Sequence, residues 1–71
     1  MWRGTALKAA KVKVIREQRP GLTQQIACDM AGISPRRYRD IRTLPEVTRL
    51  ANGLRNRPAE EWWDEAGEAL G

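Results

Sequence analysis

Four arginines lie within seven consecutive residues near the middle of the chain, at Arg36, Arg37, Arg39 and Arg42. A guanidinium group carries five N–H donors in a fixed fork, which pairs with guanine O6 and N7 in the DNA major groove or with phosphate oxygens. Asp40 lies in the same run, where it could accept a hydrogen bond from cytosine N4 or orient a neighbouring arginine. The chemistry that this segment offers is binding to a nucleic acid.

Positive charge is concentrated in the first part of the chain. Residues 1–44 contain ten Lys and Arg against three Asp and Glu, a net charge of +7, whereas residues 45–71 contain three against six, a net charge of −3. Such a distribution favours a polyanionic partner, because charge supplies most non-specific affinity for nucleic acid. A solvated basic surface is the alternative. The residues expected to contact DNA phosphates are Lys8, Lys11, Lys13, Arg16, Thr23, Gln24 and Arg42.

The composition argues against catalysis and metal binding. Cys28 is the only cysteine and histidine is absent. An internal disulfide, a zinc site and a Ser–His or Cys–His nucleophile pair therefore cannot be assembled. A chain of 71 residues forms one small domain, with little room for a deep cleft beside its core. We expect no enzyme activity, no metal and no cofactor.

The apolar stretches are far shorter than a membrane span, and lysines interrupt any signal-peptide core near the N-terminus. We therefore expect no membrane association and a cytoplasmic location, in a bacterium or a phage-infected host cell. Apolar residues recur at helical spacing and no alternating strand pattern is present. The predicted fold is all-α, a single domain of four to five helices over residues 1–71. The predicted helices are 5–18, 24–31, 35–43, 46–54 and 59–70.

Local signals set the ends of these helices. Thr5, Thr23 and Ser34 are predicted N-caps, and Pro35 follows Ser34 at a first helical position. Gly32 is the residue best able to adopt a left-handed conformation after the second helix. The residues predicted to face the core are Leu7, Ala10, Val14 and Ile15 in the first helix, Ile26, Ala27, Met30 and Ala31 in the second, and Val47, Leu50, Ala51 and Leu54 in the fourth.

Residues 22–43 have the pattern of a helix-turn-helix, two short helices separated by a Gly-Ile-Ser turn. Cys28 is the small residue four positions before Gly32, Ile33 is predicted to enter the core, and Tyr38 and Ile41 turn the second helix onto the first. The outer side of that second helix would then reach base edges in the major groove. The predicted base-reading residues are Ser34, Arg36, Arg37, Arg39, Asp40 and Thr43.

The string ACDMAGISPRRYRDI, followed by LPEV, resembles the helix-turn-helix of prokaryotic mobile-element proteins. It is most similar to the N-terminal DNA-binding domains of phage terminase small subunits, transposases and phage regulators, over roughly residues 22–50. The resemblance implies sequence-specific binding to double-stranded DNA by a phage or mobile-element transcriptional regulator. The alternative is a DNA-recognition domain of a larger phage or transposon protein.

The C-terminal segment differs in composition, with Trp62 and Trp63 among acidic residues. Both tryptophans could complete a small core, since a buried aromatic ring removes a large apolar area from water. Alternatively, one of two adjacent tryptophans would be partly exposed and would bind a second copy of the chain or another protein. The second interpretation predicts a protein-interaction adaptor that acts through the Trp62/Trp63 helix.

Overall fold

The computed structural model describes residues 3–63, and every regular element in that range is helical. The elements are α1 (Arg3–Gln18), α2 (Gln24–Ala31), α3 (Pro35–Ile41), α4 (Pro45–Arg55) and a single 3-10 turn (Ala59–Glu61). The prediction of a small all-α domain is confirmed. α2 begins and ends at the predicted residues, α1 begins two residues early, α3 ends two residues early, and α4 is one residue longer at each end than predicted.

α1 is the central helix, and it packs mainly against α4 and α2. Ala6 and Ile15 are both fully buried, although nine residues at about 100° each place them on opposite sides of the helix. The two ends of α1 are therefore covered from different directions. The predicted single apolar face is wrong at Leu7, which is 37% exposed. The residues that α1 buries are Ala6, Ala9, Ala10, Val12, Val14 and Ile15.

Two of the three predicted N-caps are confirmed. The Thr23 Oγ1 accepts a hydrogen bond from the Ile26 amide at 3.2 Å, and the Ser34 Oγ accepts one from the Arg37 amide at 3.1 Å. Thr5 is not a cap, because α1 already begins at Arg3. Each confirmed cap satisfies one backbone N–H that has no partner within its helix.

α4 begins one residue earlier than predicted, at Pro45. Proline fits a first helical position, where its missing N–H has no helical partner to lose. Leu44 before it is extended, with ψ of 142°, as expected of a residue that precedes proline. The predicted inward face of α4 is confirmed, with Leu50 partly buried and the others buried; its residues are Val47, Leu50, Ala51 and Leu54.

The ends of α1 and α4 are joined by an ion pair that sequence patterns did not indicate. The Arg55 guanidinium donates to both carboxylate oxygens of Glu17, at 2.8 and 2.7 Å, and also to the Asn52 Oδ1 at 2.6 Å. The Arg55 hydrogen bond lowers the pKa of Glu17 below its ordinary value. The ion pair therefore links the ends of the two helices at the surface.

The predicted fifth helix does not form as a regular α-helix from Ala59. Ala59–Glu61 makes one 3-10 turn, and Trp62 leaves helical geometry with φ of −132°. The remainder of the predicted helix, residues 64–70, lies outside the described residues. Trp63 is buried in the core at 6% exposure, and Trp62 packs against it edge-on, with ring centroids 6.3 Å apart.

Candidate nucleic-acid interface

The junction of α2 and α3 is a tight turn centred on Gly32. The Ile33 amide donates to the Cys28 carbonyl at 3.0 Å, and the Gly32 amide donates to the Asp29 carbonyl at 3.3 Å. These bonds form a Schellman-type helix end, in which the residue after the helix is left-handed. Gly32 has φ of 81°, a conformation that glycine adopts without steric cost. The turn therefore fixes the direction in which α3 leaves α2.

Apolar side chains pack this turn against the rest of the protein. The predicted structural positions Cys28, Ile33, Tyr38 and Ile41 are all buried in the same core cluster. Burial raises the pKa of the Cys28 thiol and of the Tyr38 phenol, so both groups are neutral near pH 7. Ile26 is 49% exposed, so its predicted inward orientation on α2 is wrong. Met30 and Ala31, which were also predicted to face inward, are partly buried and pack against the core.

The side of α3 opposite Tyr38 and Ile41 carries exposed polar side chains. Arg36, Arg39 and Asp40 are exposed there. α3 ends at Ile41, two residues before the predicted end, so Thr43 lies in the following turn and not on the helix. It is nevertheless exposed. The structure thus brings three of the six predicted base-reading residues, Arg36, Arg39 and Asp40, together on one helical face.

Arg37 and Arg42 project from the flanks of α3. At about 100° per residue, Arg37 is separated around the helix axis by about 100° from Arg36 and by about 160° from Arg39. Arg42 is on the opposite flank, where its charge and that of Arg16 act on the Tyr38 phenol and partly offset the effect of burial on its pKa. The four arginines therefore face three directions, and only Arg36 and Arg39 share the outermost one.

The charged groups of α3 have no partners among the described residues. Arg36, Arg37, Arg39 and Arg42 form no side-chain hydrogen bond or ion pair within residues 3–63. Asp40 also has none there, so the interpretation that it orients a neighbouring arginine is not supported. Guanidinium groups held at a surface without a carboxylate partner are available to an external anion.

The lysines predicted to contact phosphates do not form one surface. Lys11 and Lys13 are two residues apart on α1, which places them on nearly opposite sides of the helix. Lys13 is close enough to Glu17 to help lower the pKa of that carboxyl group. Lys8 lies over the α2–α3 turn, and its Nζ donates to the Gly32 carbonyl oxygen at 3.3 Å. Lys8 is therefore the lysine that the fold associates with α3.

The start of α2 holds the other predicted phosphate contacts. Thr23 is exposed and Gln24 is half-buried. The Arg16 Nε donates to the Leu22 carbonyl at 3.3 Å, so this cation lies beside the beginning of α2. The fold thereby places Arg16, Thr23 and Gln24 near the start of α2 and Lys8 beyond its end, over the turn into α3.

A cleft opens between α1 and the start of α3, with a volume of about 450 Å³. We call it the α1–α3 cleft; it is lined by Thr5, Lys8, Gly32, Ile33, Ser34 and Arg37. Thr5 was predicted only as a helix cap, and no sequence signal links it to Arg37, 32 positions away. The cleft is produced by the packing of α1 across the α2–α3 turn.

Metal and membrane features are not found in the part of the chain that the structure describes. Residues 3–63 contain no group of three or more His, Cys, Asp or Glu side chains placed to hold a metal ion. None of the helices described there is long and apolar enough to cross a bilayer.

Comparison with known proteins adds no relative to this picture. No protein-family model matches the chain, and no curated protein or solved structure matches it either. The functional conclusion therefore depends on the residues of the chain and on their arrangement.

Proposed function

We propose that the chain binds double-stranded DNA sequence-specifically, with α2, the Gly32 turn and α3 acting as a helix-turn-helix and α3 entering the major groove. The observation that carries the proposal is the pair Arg36 and Arg39. Both are exposed on the outermost side of α3, and neither has a partner within the described residues. A bidentate arginine–guanine contact is the commonest specific contact of this kind.

The local structure supports this use of α3. Base readout requires side chains to be presented from a rigid element whose direction is fixed. The Gly32 turn and the buried Tyr38 and Ile41 supply that rigidity. Cations on both flanks, Arg37 on one and Arg42 on the other, are suited to phosphates on the two sides of the groove.

The biological role that we infer is transcription regulation in a phage or mobile element. It rests on the resemblance of residues 22–50 to helix-turn-helix proteins of that kind. A recognition domain within a larger phage or transposon protein would use the same interface. Paired half-sites one helical turn apart would favour a dimeric regulator, and a single asymmetric site would favour the recognition domain.

The adaptor interpretation is weaker on structural grounds. Trp63 is buried, so it is not an exposed anchor for a partner. Trp62 is only partly buried, but its Nε1 donates to the Arg57 carbonyl at 3.4 Å and its ring packs on Trp63. Trp62 is thus engaged within the protein, and it remains the one side chain of the pair that a partner could reach.

Selection of duplexes from a random pool, followed by anisotropy titration of the enriched and scrambled sequences, tests the proposal. We expect one enriched motif that binds more tightly than the scrambled duplex and loses affinity as salt rises. Arg36→Ala and Arg39→Ala should weaken the enriched duplex far more than the scrambled one. Arg49→Ala is the matched control, because Arg49 is exposed on α4. Equal, weak binding to all duplexes would overturn the proposal.

A further inference from the structure

The α1–α3 cleft has the charge and donors of an anion site. Two of its lining residues, Lys8 and Arg37, are cations, and none is acidic. The Lys8 ammonium has one backbone partner, the Gly32 carbonyl at 3.3 Å, and the Arg37 guanidinium has no partner within the described residues. Two like charges that line one cleft repel each other, and an anion between them removes that repulsion.

Hydroxyl groups complete the set of donors. The Ser34 Oγ accepts the Arg37 amide at 3.1 Å, which leaves the hydroxyl proton of Ser34 to donate elsewhere. Thr5 adds a second hydroxyl to the lining. An ammonium, a guanidinium and two hydroxyl groups around one space match the several acceptor oxygens of a phosphate group.

We propose that the α1–α3 cleft binds a phosphate of the nucleic-acid backbone, with Lys8 and Arg37 as the cations that neutralise it. This inference rests on the proposed function, and it assigns phosphate binding and base reading to different residues of the interface. Arg37 and Ser34, predicted from the sequence to read bases, become positioning contacts. Arg36 and Arg39, which lie on the outermost side of α3 and not on the flank with Arg37, then read the bases.

The first experiment measures how the affinity for the selected duplex depends on salt concentration. The variants are Lys8→Gln, Arg37→Gln and the double variant, with Arg49→Gln as the charge-matched control outside the cleft. A plot of log affinity against log salt concentration has a negative slope. In the double variant the magnitude of this slope should fall by about one, the amount expected for the loss of one phosphate contact. The fold loss of affinity in the double variant should be smaller than the product of the two single losses, because both cations share one phosphate.

Folding controls keep this test decisive. Lys8→Gln removes a hydrogen bond to the turn, so Lys8→Arg, which retains the charge, should restore the slope. Arg37→Gln removes no side-chain hydrogen bond within the described residues and should unfold at the wild-type temperature. Two results would overturn the cleft proposal without affecting the proposal of DNA binding. One is a salt slope in both single variants equal to that of Arg49→Gln, and the other is a fold loss of affinity in the double variant equal to the product of the two single losses.

The second experiment uses inorganic phosphate and separates this proposal from the proposed function. Amide signals of Gly32, Ile33 and Ser34 should shift on addition of sodium phosphate but not of sodium chloride at equal ionic strength, and not in the double variant. If no duplex binds, the proposed function fails and with it the nucleic acid as the source of the phosphate. A selective shift would then support a site for a free phosphate compound, and no shift would overturn the site as well.

Discussion

The arginines of α3 and those at the end of α4 are the same residue type in opposite circumstances. Arg55 pairs with Glu17 across two helices, and Arg57 pairs with Glu61 four residues later, with N–O distances of 2.7 and 3.4 Å. No such partner exists within residues 3–63 for the arginines of α3 and the residue that follows it, namely Arg36, Arg37, Arg39 and Arg42. The charges near the end of α4 are satisfied inside the protein, whereas those of α3 remain available to a ligand.

The difference shows that a count of basic residues predicts less than their placement. A paired surface arginine contributes little to attraction of a polyanion, because its carboxylate partner cancels the field. An unpaired one contributes its whole charge. We therefore expect substitutions of the α3 arginines to alter DNA affinity with little effect on stability, and substitutions of Arg55 to alter stability with little effect on DNA affinity.

The largest expected effect is the loss of DNA affinity when the outer arginines of α3 are removed. Arg36→Ala or Arg39→Ala should each cost about 1–3 kcal/mol of binding free energy and relax base preference at one position. Anisotropy with the selected duplex and its single-base variants measures both quantities. A uniform loss of affinity across all duplexes would mean that these arginines contact phosphates. Their role would then not differ from the one proposed for Arg37.

The direction of α3 can be changed separately from its charge. Gly32→Ala should destabilise the protein by about 1–2 kcal/mol, because φ of 81° is strained for a residue with a Cβ. The strain does not come from a steric clash of the new side chain, because the nearest atom to an added Cβ would be the Lys8 Nζ at 3.6 Å. Chemical denaturation measures the change, and Gly32→Asn, which tolerates this conformation better, is the control. Equal stability of the Ala variant and the wild type would contradict the expected strain.

Removal of the α1–α4 ion pair should have a smaller effect. Arg55→Ala should cost less than about 1 kcal/mol of unfolding free energy, because both side chains are substantially exposed and water screens the pair. DNA affinity should stay at the wild-type value. A fall in affinity comparable to that of Arg36→Ala would show that the paired arginines also serve the interface, and the comparison would fail.

The smallest expected effect is a pH dependence from Glu17. Its pKa is lowered in the folded protein, first by the Arg55 hydrogen bond. The contribution to stability is therefore fully present above the ordinary glutamate pKa of about 4.3, and is lost as pH falls through the folded value. Glu17→Gln should therefore remove the part of the fall in unfolding free energy that occurs as pH drops from the ordinary glutamate pKa through the lower folded value. An unchanged acid limb in denaturation curves would argue against the pair.

Local signals in the sequence predicted much of the fold. Thr23, Ser34 and Pro35 are start signals that act within a few residues, and Gly32 is a stop signal of the same range. These elements were predicted because capping and left-handed turns depend on neighbouring backbone groups. α3 ends two residues before the predicted position, where the Leu44 amide donates to the Ile41 carbonyl at 2.9 Å in a turn. The start of the last predicted helix is a 3-10 turn, because Trp62 leaves helical geometry with φ of −132°.

The candidate site was predicted in part. The residue types on α3 and the buried positions Cys28, Ile33, Tyr38 and Ile41 follow from spacing within one segment. The α1–α3 cleft did not follow, because Thr5 and Lys8 meet Ser34 and Arg37 only when α1 crosses the turn. Helical spacing already places Lys11 and Lys13 on nearly opposite sides of α1, but only the packing of α1 across the turn brings Lys8 to the Gly32 carbonyl.

The sequence by itself determined the helical class, the position of the α2–α3 turn and the supply of arginines, since each depends on interactions within a few residues. Only the tertiary structure decided which of those charges remain unpaired. Pairing of Glu17 with Arg55, 38 positions away, and burial of opposite sides of α1 depend on which helices lie against each other. No local pattern encodes that choice, because it is made by the packing of the whole core.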